Sequence, residues 1–572
     1  MPLHNADIAA IFGEIADLLE IEDANPFRIR AYRRAAQVLG ELGRDLRQML
    51  ADGEDLTALP GIGDDLAAKI REIVETGHCA QLDRLHGELP PAIAELLHIP
   101  GLGPKRVRAL WHDLDVQTTE QLCRAARDGR IRALPGFGEK TERRIREAAE
   151  AHLARERRFK LATAAQYADG MVAYLRRVEG VERVDVAGSF RRMRETVGDL
   201  DILAIAAAGN AVTEAFAAYD EVREVLARGP TRASVVLRCG LQVDLRVVAP
   251  ESYGAALCYF TGSRAHNIAL RRGAIAGGLK LNEYGVFRGD QRIAGETEES
   301  VYRVLGLAWI PPEMREDRGE IEAARRGQLP QLVRREDLRG DLHAHTRATD
   351  GHDSLREMAL AARDAGLEYL AITEHSRRLA MVHGLDAAGL ARQIDEIDRL
   401  NETLTGIRVL KGIEVDILED GSLDLPDAIL ARLDVVVGAV HSRFDLPRMR
   451  QTERILRAMD SRHFTLLAHP TGRVLDERDP YDVDMPRVIR RARERGCALE
   501  LNAHPARLDL LDTWCMAARD EGVPVAINSD AHSVRDFDNL RFGVGQARRG
   551  WLEAKDVLNT RPLAAVLDWL KR

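Results

Sequence analysis

The sequence predicts a multidomain protein that combines the α+β and α/β fold classes, with helical domains first, a mixed unit next and a barrel last. Residues 1–155 are rich in Ala, Leu, Arg and Glu and are interrupted by Pro-Gly turns, which is typical of helices. Residues 181–206 and 231–250 contain β-rich runs. Beyond residue 336, apolar runs recur about every thirty residues with helical stretches between them, which predicts βα repeats and a parallel sheet.

Composition leaves several functions open. The chain has 572 residues, enough for several separate cores. Its net charge of −9 does not exclude a nucleic-acid partner, because binding depends on local basic patches. The 6 cysteines are scattered without a CxxC pair, which indicates a reducing compartment. No secretory signal or membrane-length apolar run is evident. We therefore predict a soluble, cytoplasmic protein without a membrane partner.

The helical region contains the pattern Pro-Gly-x-Gly three times. Its glycine pairs are Gly61 and Gly63, Gly101 and Gly103, and Gly136 and Gly138. Proline ends one helix, and the glycines allow a tight turn before the next helix, whose free N–H groups suit a phosphate. One such turn is more often a plain turn, but three in series resemble helix-hairpin-helix motifs that grip the DNA backbone. We assign the first hairpin to a domain at 1–90 and the other two to a domain at 91–155.

The middle of the chain carries acidic residues at strand-like spacing. Asp199 and Asp201 would point to the same face of one strand, and Asp244 lies in another strand-like run. An Asp-x-Asp pair alone is usually a solvated strand end. Three acids around two Mg²⁺ or Mn²⁺ ions, however, would activate a 3′-hydroxyl and stabilise a leaving pyrophosphate. Gly188-Ser189 followed by Arg192 offers N–H, hydroxyl and guanidinium groups to a triphosphate. This combination predicts nucleotidyl transfer.

Three further motifs accompany these residues, namely Asn25-Pro-Phe-Arg-Ile-Arg-Ala-Tyr-Arg-Arg34, Tyr259-Phe-Thr-Gly-Ser263 and Leu281-Asn-Glu-Tyr284. Together, the motifs make residues 1–317 resemble the family X DNA polymerases, the group that contains DNA polymerase beta. The resemblance implies a palm at 156–250 and a thumb at 251–317. It makes Asp199, Asp201 and Asp244 the catalytic metal ligands. The nucleotide-binding residues that it implies are Gly188, Ser189, Arg192, Gly198, Tyr259, Phe260, Gly262, Asn267 and Arg271. The chain departs from the animal enzyme at Arg264, where an acid is expected, and at Gln242, where an arginine is expected.

The same family suggests a second activity for the N-terminal domain. Lys69, on the helix after the first hairpin, matches the lysine that forms a Schiff base with an abasic sugar and releases 5′-deoxyribose phosphate. Arg28 and Tyr32 match residues near the 5′-phosphate. Asp65 stands where the animal enzyme has a basic contact, which would weaken the pocket. An exposed helix lysine is otherwise just a solvated charge.

A charged segment at 318–335, punctuated by proline, is predicted to be a linker into the barrel at 336–572. There, apolar runs end in histidine or carboxylate residues, and strand ends converge on one mouth of a barrel, which predicts a cluster of divalent metals. The motifs resemble the polymerase-and-histidinol-phosphatase (PHP) domain, which implies a distorted seven-stranded βα barrel with about three Mn²⁺, Zn²⁺ or Fe ions. The ligands implied are His343, His345, Asp350, His375, Glu414, His441, His469, Asp530 and His532.

Individual roles are predicted for five residues of the barrel. Glu414 is predicted to bridge metals, and Glu374 to support the ligands from outside. Arg443 and Arg473 each follow a ligand and are predicted to clamp a phosphate. His504 is predicted to line the mouth.

Together these observations favour a family X DNA polymerase for short-gap filling in base-excision repair, with a metal-dependent 3′→5′ exonuclease. The resemblance further implies apurinic endonuclease activity. Expected partners are gapped or nicked duplex DNA and deoxynucleoside triphosphates, for a monomer associated with the nucleoid. Two alternatives stay open at this point: a PHP phosphoesterase tethered to DNA by a degenerate polymerase, and a non-catalytic DNA-binding scaffold.

Overall fold

Two units make up the chain, Met1–Arg157 and Arg158–Arg572. The computed structural model describes residues 5–41, 46–59, 61–76, 78–89, 93, 96–97, 99, 101–156, 158–379 and 382–571. Within those ranges, no helix is both long enough and apolar enough to cross a bilayer.

The first unit is helical throughout its described part, as predicted. Its α-helices are α1 (Asn5–Ile21), α2 (Pro26–Glu41), α3 (Leu46–Ala51), α4 (Asp64–Thr76), α5 (Ala80–Glu88), α6 (Pro104–Leu114), α7 (Thr119–Arg127) and α8 (Glu139–Glu156). A single apolar cluster runs from Ile8 to Ala149. The two helical domains predicted at 1–90 and 91–155 therefore share one continuous core.

The three Pro-Gly-x-Gly turns have the same geometry. The first glycine of each adopts a positive φ, of 84° at Gly61, 93° at Gly101 and 81° at Gly136, which L side chains rarely adopt. In each turn an i→i+3 backbone hydrogen bond spans the Pro-Gly pair, as from Leu102 N to Ile99 O at 3.0 Å. Helices α4, α6 and α8 each begin three residues after that glycine. Each turn is thus followed by a helix, as predicted, while a single 3-10 turn (Leu56–Ala58 or Ile131–Ala133) precedes the first and third turns.

The palm segment forms a mixed five-stranded sheet in the order β2-β4-β7-β6-β5. The strands of this sheet are β2 (Val181–Val186), β4 (Asp199–Ala206), β5 (Val222–Arg228), β6 (Arg232–Leu237) and β7 (Gln242–Val247), while β1 (Phe159–Lys160) and β3 (Thr196–Val197) form a separate two-stranded sheet. The helices of the segment are α9 (Leu161–Leu175), α10 (Gly188–Arg191) and α11 (Gly209–Ala217). Strands β4 and β7 are parallel, and their register pairs Asp201 with Asp244. Sheet pairing thus brings together acids that are far apart in sequence.

The thumb segment combines helices with a small antiparallel sheet. Its elements are α12 (Tyr253–Thr261), α13 (Arg264–Ala276), β8 (Lys280–Asn282), β9 (Gly285–Arg288), β10 (Gln291–Ala294) and α14 (Glu298–Val304). The predicted linker differs from expectation, because it contains helix α15 (Glu320–Arg326), whose Ile321 and Ala324 pack in the thumb's apolar cluster. Buried Glu320 also contacts His266 Nδ1 at 2.5 Å. Helix α15 is therefore part of the folded thumb, whereas Val333, nearer the end of the segment, packs in the core of the barrel.

The C-terminal segment is a barrel of parallel strands, as predicted. Its strands are β11 (Gly340–Asp341), β12 (Tyr369–Ile372), β13 (Arg408–Asp416), β14 (Val435–Ala439), β15 (Leu466–Leu467), β16 (Ala498–Asn502) and β17 (Val525–Asn528), and they form a seven-stranded sheet in sequence order. Its helices are α16 (Leu355–Asp364), α17 (Ala387–Thr403), α18 (Asp427–Leu430), α19 (Arg448–Ala458), α20 (Met485–Arg495), α21 (Asp512–Asp520), α22 (Leu540–Arg549) and α23 (Leu563–Leu570). A parallel bridge between Ala344 and Ala531, just beyond the first and last strands, nearly closes the barrel.

Candidate active sites

Three carboxylates meet on neighbouring strands of the palm. Asp199 and Asp201 lie two residues apart on β4, and Asp244 lies opposite Asp201 on β7. Ser234 Oγ donates a hydrogen bond to Asp244 Oδ1, and Gln242 Nε2 donates to Oδ2 at 3.1 Å. Gln242, where the family has an arginine, thus orients a candidate metal ligand.

The electrostatics of these carboxylates favour cation binding. Burial, with repulsion from Asp199 and Asp244, raises the pKa of Asp201 to about 7. Burial and the charge of Asp244 also raise the pKa of Asp199. Crowded carboxylates resist ionising together, and divalent cations between them would relieve that repulsion. The donor set, made of carboxylate oxygens alone, fits Mg²⁺ or Mn²⁺.

The predicted triphosphate-binding residues surround a loop that begins directly beside these acids. We call residues 188–194, which comprise the short helix α10 and the turn after it, the triphosphate loop, after the ligand predicted for it. Gly188 has φ of 65°, and a Cβ at this position would lie 2.6 Å from Asp201 Oδ2, so the close approach requires glycine. Arg192 Nε lies 3.1 Å from Glu316 Oε1, and its Nη1 donates to the carbonyl of Thr261. Ser189 lies in the loop, and Gly198 immediately precedes β4.

The predicted sugar- and base-contacting residues form one group at the junction of α12 and α13. The rings of Tyr259 and Phe260 meet edge-on with centroids 5.0 Å apart. Asn267 Nδ2 donates to the Tyr259 carbonyl at 2.7 Å, and the Arg271 guanidinium lies 5.0 Å from the Tyr259 ring. Gly262, with φ of 70°, ends α12. Arg264, the departure from the family pattern, is exposed at the start of α13.

All nine predicted ligands of the barrel gather near the carboxyl ends of its strands. Donor atoms within 4.8 Å of one another form three groups in the described part of the chain, namely His345, Asp350, His375 and His532; His343, His345 and Asp530; and His375, Glu414 and His441. His469 joins them, because its Nε2 lies 3.0 Å from Glu414 Oε1. Glu414 contacts five histidines, His375 and His441 among them, and the first group shares His345 with the second and His375 with the third. This pattern fits several cations held by shared ligands, with Glu414 between them.

Ring nitrogens that no protein atom satisfies support the same interpretation. Among the described residues, His343 Nε2, both ring nitrogens of His345 and His375 Nδ1 are buried without a hydrogen-bond partner. A buried polar atom without a partner is costly unless a ligand or ion completes it. Mixed imidazole and carboxylate donors suit Mn²⁺, Zn²⁺ or Fe.

The cluster also has an uneven charge distribution. Burial and the neighbouring rings of His375 and His532 lower the pKa of His345 to about 3. Despite burial, the carboxylates of Glu414 and Asp350 raise the pKa of His375 to about 10. His345 is therefore ready to donate a lone pair, whereas His375 must exchange its proton for a cation.

Residues outside the ligand set hold the ligands in place. Glu500, which is fully buried, accepts from His343 Nδ1 at 2.7 Å and from the backbone N–H of His469 at 2.8 Å. Glu374 accepts from Thr346 Oγ1 at 2.5 Å and Gln393 Nε2 at 2.9 Å, neither of which is a predicted ligand, so its supporting role stays a prediction. Asp416 Oδ1 lies 3.3 Å from His441 Nδ1. The sequence alone gave no role to Glu500 or Asp416.

Arginines near the cluster occupy different environments. Arg473 is buried and donates to the backbone carbonyls of Arg507 and Leu508, so its guanidinium braces a loop. Arg443 is half-exposed and lies 3.5 Å from both Glu419 and Asp445. Arg507, which sequence reasoning did not select, lies 3.9 Å from Asp530 Oδ2, and its Nη1 is buried without a hydrogen-bond partner among the described residues. Arg507 is thus the arginine with a free donor beside the ligands.

The remaining residues singled out in the sequence are His504 in the barrel and Lys69, Arg28 and Tyr32 in the first unit. His504 is partly buried on the loop after β16, and its backbone N–H donates to Asn502 Oδ1 at 3.0 Å. In the first unit, Lys69 Nζ forms an ion pair with Asp65 one turn earlier on α4, and its side chain is only 16% exposed. Arg28 Nη2 donates to Gln81 Oε1 at 2.8 Å, while Tyr32 lies in the core. Asp65, which was predicted to weaken the pocket for the 5′-phosphate, thus contacts the candidate nucleophile Lys69 directly.

Comparison with known proteins finds four matching families along the chain. Family models match a helix-hairpin-helix domain at residues 3–79, a SAM-like helix-hairpin-helix tandem at 93–151, the DNA polymerase beta thumb at 256–316 and the PHP domain at 341–504. The "DNA polymerase/3'-5' exonuclease PolX" of Bacillus subtilis is 38% identical over 577 residues, covering 100% of both chains. A probable phosphatase of Thermoanaerobacter sp. is 27% identical over 40% of this chain and 94% of its own length. Another, of Edwardsiella ictaluri, is 30% identical over 41% of this chain and 94% of its own.

Proposed function

The chain belongs to the family X DNA polymerases that carry a PHP domain, and we propose that its palm fills short gaps in DNA while its barrel removes nucleotides from 3′ ends. The observation that carries this proposal is the presence of two separate sets of metal-ligating side chains in one chain. The palm set contains carboxylates alone, whereas the barrel set mixes imidazoles and carboxylates. The palm set suits formation of a phosphodiester bond, and the barrel set suits its hydrolysis.

In the palm, Asp199, Asp201 and Asp244 would hold Mg²⁺ or Mn²⁺, which would lower the pKa of the primer 3′-hydroxyl and stabilise the leaving pyrophosphate. Ser234 and Gln242 fix the direction of the Asp244 carboxylate. The triphosphate would be held by the backbone at Gly188 and Gly198, the hydroxyl of Ser189 and the guanidinium of Arg192. We assign Tyr259, Phe260 and Gly262 to the sugar, and Asn267 and Arg271 to the nascent base pair.

In the barrel, the nine clustered residues would hold about three Mn²⁺, Zn²⁺ or Fe ions, which would supply an activated water and neutralise charge on the phosphorus oxygens. Glu500 keeps His343 oriented, and Asp416 does the same for His441. We propose Arg507 as a phosphate-binding residue, because a buried guanidinium N–H without a partner gains a strong hydrogen bond from a phosphate oxygen. A clamp role for Arg443 and Arg473 stays a prediction.

Paired variants test the two-site proposal directly. We expect Asp199→Ala with Asp201→Ala to abolish extension of a primer on a gapped duplex while leaving degradation of that primer intact. We expect His343→Ala with His345→Ala to do the reverse. Both reactions are followed on one labelled substrate with Mg²⁺ or Mn²⁺.

The outcome also separates the competing hypotheses. If either pair of substitutions eliminated both activities, the two-site proposal would be wrong. If the unaltered protein degraded DNA but added no nucleotide, a phosphoesterase tethered by a degenerate polymerase would be the better description. Metal analysis of the purified protein addresses the scaffold hypothesis, since a scaffold needs no bound transition metals.

Further activities and partners extend the proposal. The hairpin glycines of the first unit would contact the phosphates of gapped or nicked duplex DNA. We also propose incision at abasic sites by the barrel and 5′-deoxyribose phosphate release through Lys69. The protein would act as a monomer, using deoxynucleoside triphosphates, on nucleoid DNA in the cytoplasm. Incision is tested on a duplex with one abasic site, which the double variant His343→Ala, His345→Ala should no longer cleave.

A further inference from the structure

The barrel contributes a buried arginine to the environment of the triphosphate loop. Arg549, at the end of α22, is 1% exposed. Its Nη1 donates to the backbone carbonyl of Arg192 at 2.9 Å and lies 2.9 Å from Glu316 Oε1 of the thumb. Its Nη2 donates to Asp512 Oδ2 of the barrel at 2.6 Å. One side chain thus connects palm, thumb and barrel.

Glu316 is shared between this arginine and the candidate nucleotide-binding arginine. Its Oε1 accepts from Arg549 and also from Arg192 Nε, at 3.1 Å. A carboxylate that pairs with Arg192 competes with a triphosphate for the same guanidinium. Because Arg549 supplies a second positive charge, it weakens the hold of Glu316 on Arg192. Asp512, which also binds Arg318 at 3.0 Å, anchors Arg549 from the other side.

The backbone of α22 also abuts the loop directly. Met193, next to Arg192, has φ of 54° and packs against Gly545. A Cβ at Gly545 would lie 2.4 Å from Met193 Cε and 3.0 Å from Met193 Cβ. Phe542, one turn earlier on α22, belongs to the apolar cluster of the palm. The loop therefore rests on a helix of the other catalytic domain, with no room for a methyl group between them.

We propose that α22 of the nuclease barrel positions the triphosphate loop of the palm, and that Arg549 is a positioning residue for nucleotide binding. The inference rests on the proposed polymerase function. Arg549 holds the carbonyl of Arg192 and balances the charge of Glu316, and thereby leaves the Arg192 guanidinium available to a triphosphate. The barrel then contributes to polymerisation through its fold, independently of its own metal ligands.

The test compares two adjacent arginines at the same boundary. Arg548 pairs with Glu313 of the thumb at 2.7 Å and donates to the carbonyl of Val333 at 3.2 Å, but among the described residues it forms no hydrogen bond or ion pair with the loop. In the full-length protein, we expect Arg549→Met to raise KM for a deoxynucleoside triphosphate about tenfold, because charged hydrogen bonds to the loop and Glu316 are lost. We expect kcat to change less than about threefold and Arg548→Met to leave KM unchanged. Arg549→Lys, which keeps the charge, should restore part of the loss.

Degradation of the same primer reports on folding, because Arg549 does not belong to the nuclease site. An unchanged KM in Arg549→Met, or an equal rise in Arg548→Met, would refute the inference. If the unaltered protein failed to extend the primer, the proposed polymerase function would fail instead.

If Arg549→Met misfolds and loses nuclease activity, a substitution that alters the packing of α22 against the loop tests the inference instead. We expect Gly545→Ala to raise KM by pushing Met193 and the loop. Met193→Gly in the same chain should restore KM, since glycine removes the clash and tolerates the positive φ. No rise in Gly545→Ala, or no restoration in the double variant, would contradict positioning through this contact.

Discussion

Glu500 offers a sharp test of the barrel site, because each of its two carboxylate oxygens accepts hydrogen bonds from two donors. Oε1 accepts from His343 Nδ1 at 2.7 Å and Asn528 Nδ2 at 2.9 Å. Oε2 accepts from the backbone N–H of His469 at 2.8 Å and Asn502 Nδ2 at 3.1 Å. Glu500→Gln keeps the shape but replaces one oxygen with an NH₂ group. In either orientation of the amide, two donors then face another donor.

The expected loss follows from these contacts. A hydrogen bond to a charged group contributes about 1.5–3 kcal/mol, and partners that orient metal ligands typically account for a 10- to 100-fold effect on metal affinity. If the amide keeps its oxygen toward His343, His469 N and Asn502 lose their acceptor. Either way, we expect the Mn²⁺ concentration for half-maximal nuclease rate to rise about 10- to 100-fold, with primer extension unchanged.

The assay is a Mn²⁺ titration of exonuclease rate on a labelled 3′ end. Glu521→Gln is the matched control, because Glu521 pairs with Arg493 on the barrel surface and lies outside the cluster. Restoration of the rate at saturating Mn²⁺ would indicate that Glu500 acts by holding ligands. An unchanged half-saturation point would refute the reasoning, as would parallel loss of extension.

Three further outcomes are expected. Gly101→Ala should weaken duplex binding more than Gly103→Ala, because a residue with a Cβ is strained by about 1–3 kcal/mol at the φ of 93° of Gly101 but not at the φ of −98° of Gly103; fluorescence anisotropy compares the two variants. Arg507→Met should lower nuclease kcat/KM about tenfold or more without changing Mn²⁺ half-saturation, and a shifted titration would instead make Arg507 a support for the ligands. Lys69→Ala should abolish borohydride trapping on an incised abasic site, and trapping that persists would assign the Schiff base to another amine.

Much of both sites was predictable because local rules decide their geometry. Asp199 and Asp201 share a face since side chains alternate along a strand, and the barrel ligands converge since parallel strands end at one mouth. The hairpin turns followed from glycine's tolerance of positive φ, as Gly101 shows. In each case the relevant information lies within a few residues of the functional side chain.

The remainder depended on contacts between distant segments. The predicted linker folds because Glu320 contacts His266, 54 residues earlier. Arg549 looks like an ordinary basic residue in the last turn of a helix, yet it is buried against Glu316, 233 residues earlier. Arg507 has a free donor beside Asp530 because Arg473 braces the intervening loop. No periodicity or short motif carries information about such pairings.

The two sites differ in how their charge is balanced, and this difference bears on the choice between synthesis and degradation. In the barrel, carboxylates such as Glu414 lie among imidazoles, so that a nearly complete ligand shell exists in the protein alone. In the palm, the acids lie beside one another, and burial together with repulsion from Asp199 and Asp244 raises the pKa of Asp201. A triphosphate, which brings its own cation and oxygen ligands, completes the palm site. We therefore expect nucleotide supply to set whether the polymerase site is assembled, and a chain end without a matching nucleotide to be degraded by the barrel.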